Sequence, residues 1–272
     1  MDTAIDYEEL SIESLTKLAL KDDAKALYEL GARIKEGDGV ERSDENAAAL
    51  WKKAAKLGHA YAQYDLALCY EDGEGVEQSY EKAAYWYEKA AEQDCAEAQY
   101  NLALCYESGK GVEQSKEKAA YWYEKAALQG DAEAQYDLAL CYEDGEGVEQ
   151  SYEKAAYWYE KAAEQDCAEA QYNLALCYED GEGVERCYEK AVYWYEKAAL
   201  QGDVEAQFNL ALCYEEGKGV ERSDEKMAYW FEQAAMQGDR EAQSRLAKCY
   251  EQGIGVPRSI EAASYWKKKS KK

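Results

Sequence analysis

Residues 96–131 read AEAQYNLALCYESGKGVEQSKEKAAYWYEKAALQGD, and this stretch decides the fold. Near its start, Ala98, Leu102, Cys105 and Tyr106 fall at i, i+4, i+7 and i+8, one apolar stripe of an α-helix. Gly109 suits a left-handed C-terminal cap, Gly111 lets the turn continue, and Val112 plugs it with an apolar side chain. Ser115 is placed to N-cap a second helix over 117–128, with Glu117 in its favourable first turn. Ala119, Trp122, Tyr123 and Ala126 form that helix's stripe, and Ala103, Ala126 and Ala127 are small enough for close helix approach. Gly130 ends the second helix and Asp131 can cap the next one. The stretch is a helix hairpin that can bury its stripes only against neighbours.

The pattern recurs every 36 residues without insertion or deletion, in units 24–59, 60–95, 96–131, 132–167, 168–203, 204–239 and 240–272. A period of this length predicts an all-α solenoid of seven helix–turn–helix repeats. The units opening at Ala60 and Ala132 differ only at Tyr61 against Glu133, the mark of recent tandem duplication or of assembly from a consensus. Residues 1–23 hold half a unit: Leu15, Leu18, Ala19 and Leu20 match second-helix positions and predict an N-terminal capping helix. At the other end the Ala pair becomes Ser270-Lys271, and the lysine-rich tail is expected to be solvated and to receive no further repeat.

Composition narrows the function. Of 272 residues, 32 are basic and 57 acidic, a net charge of −25, while 47% are apolar. From Arg240 onward nine basic and three acidic residues leave +6, so the preceding 239 residues carry −31. Such a body repels nucleic acid and anionic membrane surfaces. No apolar run approaches the ~20 residues of a membrane span. The acidic N-terminus lacks the regions of a signal peptide, so a cytoplasmic protein is expected, or a mature form whose leader has been removed. Nine cysteines cannot all pair internally, which points to reduced thiols. A single histidine, His59, removes His triads and multi-His metal sites; it is expected on the surface at a junction between units.

The run Ala-x-Ala-x-Tyr-x-Leu-Ala-x-x-Tyr-x-x-Gly-x-Gly-Val followed by Lys-Ala-x-x-Trp-Tyr-x-x-Ala-Ala is carried by Leu66, Tyr70, Gly73, Gly75, Val76, Ala83, Trp86, Tyr87, Ala90 and Ala91. It resembles Sel1-like repeats, relatives of tetratricopeptide repeats, from Ala24 to about Lys269. The resemblance implies a right-handed superhelix of antiparallel helix pairs and an adaptor or scaffold role. The first unit departs from it: Leu50 stands for the Trp and Trp51 for the following Tyr.

Each first helix carries a second stripe, in one unit Glu97, Tyr100, Asn101, Leu104, Glu107 and Ser108. In related tetratricopeptide proteins this stripe lines the concave groove. Repeated, it gives a column of Tyr28, Tyr64, Tyr100, Tyr136, Tyr172 and Phe208, beside Leu68, Leu104, Leu140, Leu176 and Leu212. Asn101, Asn173 and Asn209 alternate with Asp65 and Asp137; the resemblance implies that an Asn here holds a peptide backbone. Glu97, Glu133, Glu169 and Glu205, with Glu71, Glu107, Glu143, Glu179 and Glu215, flank the column. Tyrosine offers contact area at low entropic cost, and acidic walls steer cations. The expectation is a protein or peptide partner with apolar and basic residues. The alternative for the column is packing between successive first helices. Near-identical repeats also fit a consensus-like array without a dedicated ligand, and the acidic body and basic end fit weak head-to-tail self-association.

Other constellations read as structural. Cys69, Cys105, Cys141, Cys177, Cys213 and Cys249 lie on the core stripe, and their spacing offers no zinc site. Cys177 and Cys187 are the one pair placed to bridge a hairpin. Loops such as Glu71-Asp-Gly-Glu-Gly lack EF-hand and P-loop spacing. No nucleophile–base pair is visible, so neither catalysis nor a cofactor is expected. Tyr85, Tyr121, Tyr157, Tyr193, Tyr229 and Tyr265 point away from the second-helix core and are expected to cover the convex surface, with a lattice or partner contact as the alternative.

Overall fold

The computed structural model describes residues 5–271, which contain fifteen α-helices and no strand. The acidic opening at residues 1–4 and the terminal Lys272 lie outside them. The chain falls into two compact units, Met1–Ala134 and Gln135–Lys272. The first holds α1 (Ile12–Ala19), α2 (Ala24–Glu36), α3 (Asp44–Lys56), α4 (Ala60–Asp72), α5 (Tyr80–Ala91), α6 (Ala96–Ser108) and α7 (Lys116–Leu128). α8 (Ala132–Asp144) opens at the end of the first unit. The second holds the rest of α8, then α9 (Tyr152–Ala163), α10 (Ala168–Asp180), α11 (Tyr188–Gln201), α12 (Val204–Glu216), α13 (Asp224–Met236), α14 (Arg240–Gln252) and α15 (Ile260–Lys269). From α1 to α7 in the first unit and from α9 to α15 in the second, successive helices pack on one another, as in α4 on α5 and α5 on α6, or α10 on α11 and α11 on α12.

The helix boundaries follow local chemistry. Gly109 sits at φ 73° and ends α6 by donating its backbone N–H to the Cys105 carbonyl. Ser115 accepts from the Lys118 amide to open α7, and Asp131 accepts from the Ala134 amide at 2.8 Å. Two junction types recur, and Asp22-Asp23 joins features of both, with Asp22 at φ 60° and Asp23 capping α2. Where the sequence reads Gly-Asp, as at Gly202-Asp203, glycine takes the left-handed position and Asp caps α12. Where it reads Asp-Cys, Asp94 and Asp166 are forced to φ 61° and 62°, and Cys95 and Cys167 make no side-chain cap bond.

His59 lies at the junction between units as expected, but half-buried rather than free. It occupies the Asp position of the junction, and its Nδ1 accepts from the Ala62 amide at 3.2 Å to cap α4. Its half-buried ring stacks on Tyr28 at 4.6 Å. Burial, reinforced by the nearby Lys25 charge, holds its pKa below the usual histidine value, so the ring stays a neutral acceptor.

The core is a ladder of Ala, Leu and aromatic residues. Tyr87, Tyr123, Tyr159, Tyr195 and Phe231 are at most 1% exposed. The aromatic shift in the first repeat has a steric partner. Trp51 is buried, its indole N–H donates to the Tyr28 carbonyl at 3.1 Å, and Gly31 faces it where the following repeat has Ala67. A Cβ at Gly31 would come within 2.6 Å of the indole nitrogen. α1 packs on α2 through Leu15, with Leu18 and Ala19 half-buried, but Leu20 is 82% exposed and takes no part in capping.

A buried glutamine in most first helices ties hairpins together. In the first unit Gln63 and Gln99 donate to the Ala55 and Ala91 carbonyls at 3.0 and 3.1 Å. Their own carbonyls accept from Gln93 and Gln129 at 2.7 and 2.8 Å. In the second unit Gln171 and Gln207 repeat both bonds.

The nine cysteines are free thiols, seven of them buried; only Cys167 and Cys187 are partly exposed. Burial pushes Cys69, Cys105 and Cys249 up to about 11 and Cys177 and Cys213 up to about 12. The thiolate is the reactive form. A disulfide-exchange reagent at neutral pH is therefore expected to label Cys167 and Cys187 first, and the remaining seven only as the chain unfolds. Nine sites reacting at one rate in the native protein would contradict the buried packing.

Candidate functional site

The second stripe of the first helices is built from both helices of each hairpin. Tyr64 lies against Tyr87 at 6.0 Å between ring centroids, and Tyr100 against Tyr123 at 5.8 Å. In the second unit Tyr136 meets Tyr159 at 5.9 Å, Tyr172 meets Tyr195 at 6.0 Å and Phe208 meets Phe231 at 5.5 Å. These tilted pairs are ordinary aromatic packing geometry. The outer ring of each pair is half-buried: one side is held by the core and the other faces solvent. Leu68, Leu104, Leu140, Leu176 and Leu212 are half-buried in the same way, while Glu97, Glu133 and Glu169 are exposed.

Much of this stripe is already engaged within the chain. The Asn101 amide donates to the Tyr64 hydroxyl at 3.4 Å, and the Asn209 amide to the Tyr195 hydroxyl at 3.5 Å. These asparagines thus have an intramolecular role beside any toward a ligand. The inner hydroxyls of Tyr87, Tyr123 and Tyr195 donate to Glu71, Glu107 and Glu179 at 2.5, 3.0 and 2.7 Å, and Tyr159 donates to Glu143. Burial, together with these carboxylates, drives the inner tyrosine pKa values far up, so the phenols stay neutral donors.

The repeat opening at Val204 shows how the parts depend on one another. Phe208 and Phe231 remove both hydroxyls, so Glu215 has no phenol to accept from. It pairs instead with Arg245 at 3.2 Å, and Arg245 occupies the position of the asparagines.

Asp65 stands where three other repeats have Asn. Burial lifts its carboxyl pKa to about 6, against the lowering effect of the Tyr28 hydroxyl. A folded pKa above the unfolded value of 3.8 penalises the ionised form, so this group costs stability at neutral pH and the cost disappears as pH falls from about 6 toward 4. Asp65→Asn is therefore expected to raise stability at pH 7 by roughly 1–2 kcal/mol and by almost nothing at pH 4. Urea titrations at the two pH values check it; an equal effect at both would contradict the assignment.

A shallow cleft of about 220 Å³ opens on the stripe between Asn101, Leu104 and Glu107, with Lys110 beside it. On the other side of each hairpin the row from Tyr85 to Tyr265 is half exposed, and each ring meets the following Trp edge-on, at 5.0 Å for Tyr85–Trp86. Among the described residues no group of three or more His, Cys, Asp or Glu could hold a metal ion, and no helix is long and apolar enough to cross a membrane.

Comparison with known proteins places this geometry. The family model for the Sel1 repeat matches residues 24–59, 60–95, 96–131, 132–167, 168–203, 204–239 and 240–270. A crystal structure of a protective antigen from uropathogenic Escherichia coli, described as an SLR fold, is 36% identical with a TM-score of 0.90. The match covers 97% of this chain and 56% of that one, so the chain spans little more than half the antigen's length. A Sel1 repeat protein from Oxalobacter formigenes is 34% identical over 99% of this chain and 79% of its own, with a TM-score of 0.75. No curated protein matches the sequence. Sel1 repeat proteins are in general non-enzymatic and mediate protein–protein interaction.

Proposed function

The chain belongs to the Sel1 repeat family, and on that premise we propose that it is a protein-interaction scaffold whose first-helix stripe binds an extended or helical peptide. The observation that carries the reading is the half-buried row of rings and leucines, Tyr64, Leu68, Tyr100 and Leu104 in one unit and Tyr136, Leu140, Tyr172 and Leu176 in the other. Each outer ring is fixed by its inner partner before any ligand arrives, which lowers the entropic cost of binding. The exposed Glu97, Glu133 and Glu169 favour a partner carrying Lys or Arg beside its apolar anchors.

A random peptide library displayed on phage and panned against the full chain tests this. Enrichment of apolar-plus-basic peptides is expected, lost on a Tyr64→Ala/Tyr100→Ala/Tyr136→Ala/Tyr172→Ala variant whose helical content is retained. No enrichment, or equal enrichment on both proteins, would end the peptide-groove reading. A second reading is favoured by one observation, the single-residue difference between the repeats opening at Ala60 and Ala132. It describes an array of consensus-like repeats with no dedicated ligand, and it predicts the empty selection.

A further inference from the structure

Most tyrosines of the second-helix row carry a lysine of their own helix. Lys89, Lys125, Lys161 and Lys197 follow Tyr85, Tyr121, Tyr157 and Tyr193 by four residues and lie over those rings, 5.9, 5.6, 5.9 and 6.0 Å from the centroids. In α13 the lysine position is Gln233, so the half-exposed Tyr229 ring has no such cation above it. A second charge is lost nearby. Met236 stands where two other repeats have Glu92 and Glu164, and it follows Leu200 at the same position of the preceding repeat. Met236 and Leu200 are 59% and 70% exposed. Between α11 and α13 these exchanges leave a shallow cavity of about 360 Å³ lined by Leu200, Tyr229 and Met236, and no acidic or basic side chain among the described residues lines it.

Two glutamines give the cavity acceptors. Gln201 and Gln237 also line it. The Gln201 amide donates to the Asp166 backbone carbonyl at 3.0 Å, and the Gln237 amide donates to the Gly202 carbonyl at 2.8 Å. A backbone carbonyl can only accept, which fixes the nitrogen end of each amide. The same two nitrogens donate to the side-chain oxygens of Gln171 and Gln207 at 2.9 and 3.0 Å. Among the described residues no donor reaches the amide oxygen of Gln201 or Gln237.

We propose that this cavity binds an arginine side chain of a second partner protein. The guanidinium stacks on Tyr229, in the place that lysine takes over the sister rings. Its N–H fork donates to the Gln201 and Gln237 amide oxygens, and its aliphatic stem packs on Leu200 and Met236. Lysine, a point charge, fits less well, because the ring face and two separated acceptors call for a planar group with several donors. The chain's net charge of −25 draws a cation toward the site, and no cation in the lining opposes it. The volume lies within the ~300–1,000 Å³ range of ligand sites. Tyr85 and Tyr121 keep their own lysines and take no part. The site lies on the second helices, so it does not rest on the groove reading.

The test titrates the full chain with acetyl-Ala-Arg-Ala-amide by isothermal calorimetry at ~0.15 M ionic strength, where diffuse attraction to the acidic body is largely screened. Control peptides carry lysine or the uncharged citrulline in place of arginine. Saturable binding is expected, at least threefold weaker with lysine and at least tenfold weaker with citrulline. Gln233→Lys restores the cation of the sister repeats and is expected to weaken binding at least fivefold. Should that variant misfold, Tyr229→Ala removes the ring and is expected to weaken binding at least threefold. Tyr193→Ala, whose ring already carries Lys197, is expected to leave binding unchanged. The variant with alanine at Tyr64, Tyr100, Tyr136 and Tyr172 is also expected to bind unchanged, which separates this site from the groove. Absence of saturable binding, equal binding of either control peptide, undiminished binding to Gln233→Lys or Tyr229→Ala, or loss of binding in the Tyr193 or groove variant would overturn the proposal.

Discussion

Gly111→Ala is expected to cost roughly 3 kcal/mol or more of stability, far more than the neighbouring Gly109→Ala. The two glycines share one loop and the same φ of 73°. Each therefore carries the penalty, about 1–2 kcal/mol, of placing a Cβ in the left-handed region. Only Gly111 also presses on another hairpin: a Cβ there would lie 2.0 Å from the Tyr80 carbonyl oxygen at the start of α5. At Gly109 the nearest atom is the Gln114 Cβ at 3.3 Å, a contact relieved by a shift of a few tenths of an ångström. Backbone cannot yield as a side chain can, so the substitution must push one hairpin off the next. Gly75 against Asp44, Gly183 against Tyr152 and Gly219 against Tyr188 show the same approach. Urea melts of the two variants decide it; equal losses would mean that the contact between hairpins does not carry the stability assigned to it.

Gln171→Leu is expected to be the costliest change of a polar side chain, about 2–3 kcal/mol. Gln171 is fully buried, donating to the Ala163 carbonyl at 3.1 Å and accepting from Gln201 at 2.9 Å. Leucine matches its size but strands the Ala163 carbonyl away from water. Gln201 is exposed, and Gln201→Ala is expected to cost under about 1 kcal/mol because water replaces what it loses. Gln243 already shows the unsatisfied state, since its buried Oε1 has no donor among the described residues. Chemical denaturation of Gln171→Leu beside Gln201→Ala is the check, and similar small losses would show that the buried amide is dispensable.

The fold was legible because its rules act within one repeat. Stripes at i and i+4, a capping serine and a left-handed glycine are local, and seven copies in register repeat the same message. What stayed hidden acts between repeats. Gly111 reads as a turn residue, and nothing near it in sequence reveals that Tyr80 lies 2.0 Å from its missing Cβ. Gln99 reads as a polar position on an amphipathic helix; its recurrence beside Ala98 and Leu102 on the buried stripe was the available signal. His59 could have been recognised by aligning it with Asp131 and Asp203, which occupy the same capping position.

The site was legible in composition and less so in partnership. The stripe of Tyr, Leu, Asn and Glu was readable from spacing, but its asparagines and inner acids turn out to serve the fold as well. Asn101 bonds Tyr64, and Glu107 holds the buried Tyr123 hydroxyl. Such bonds cross from helix to helix over 16 or 37 residues, a separation that periodicity alone does not connect.

The central claim is that the first-helix stripe, and not the opposite aromatic row, meets the partner. The most direct measurement takes one library-selected peptide and compares its affinity by calorimetry for two variants. Tyr64→Ala/Tyr100→Ala alters the stripe, and Tyr85→Ala/Tyr121→Ala alters the half-exposed row on the second helices. The account predicts at least a tenfold loss for the first and less than a twofold change for the second, with both variants fully helical. Loss confined to the Tyr85/Tyr121 variant would contradict it and move the binding surface to the other side of the hairpins.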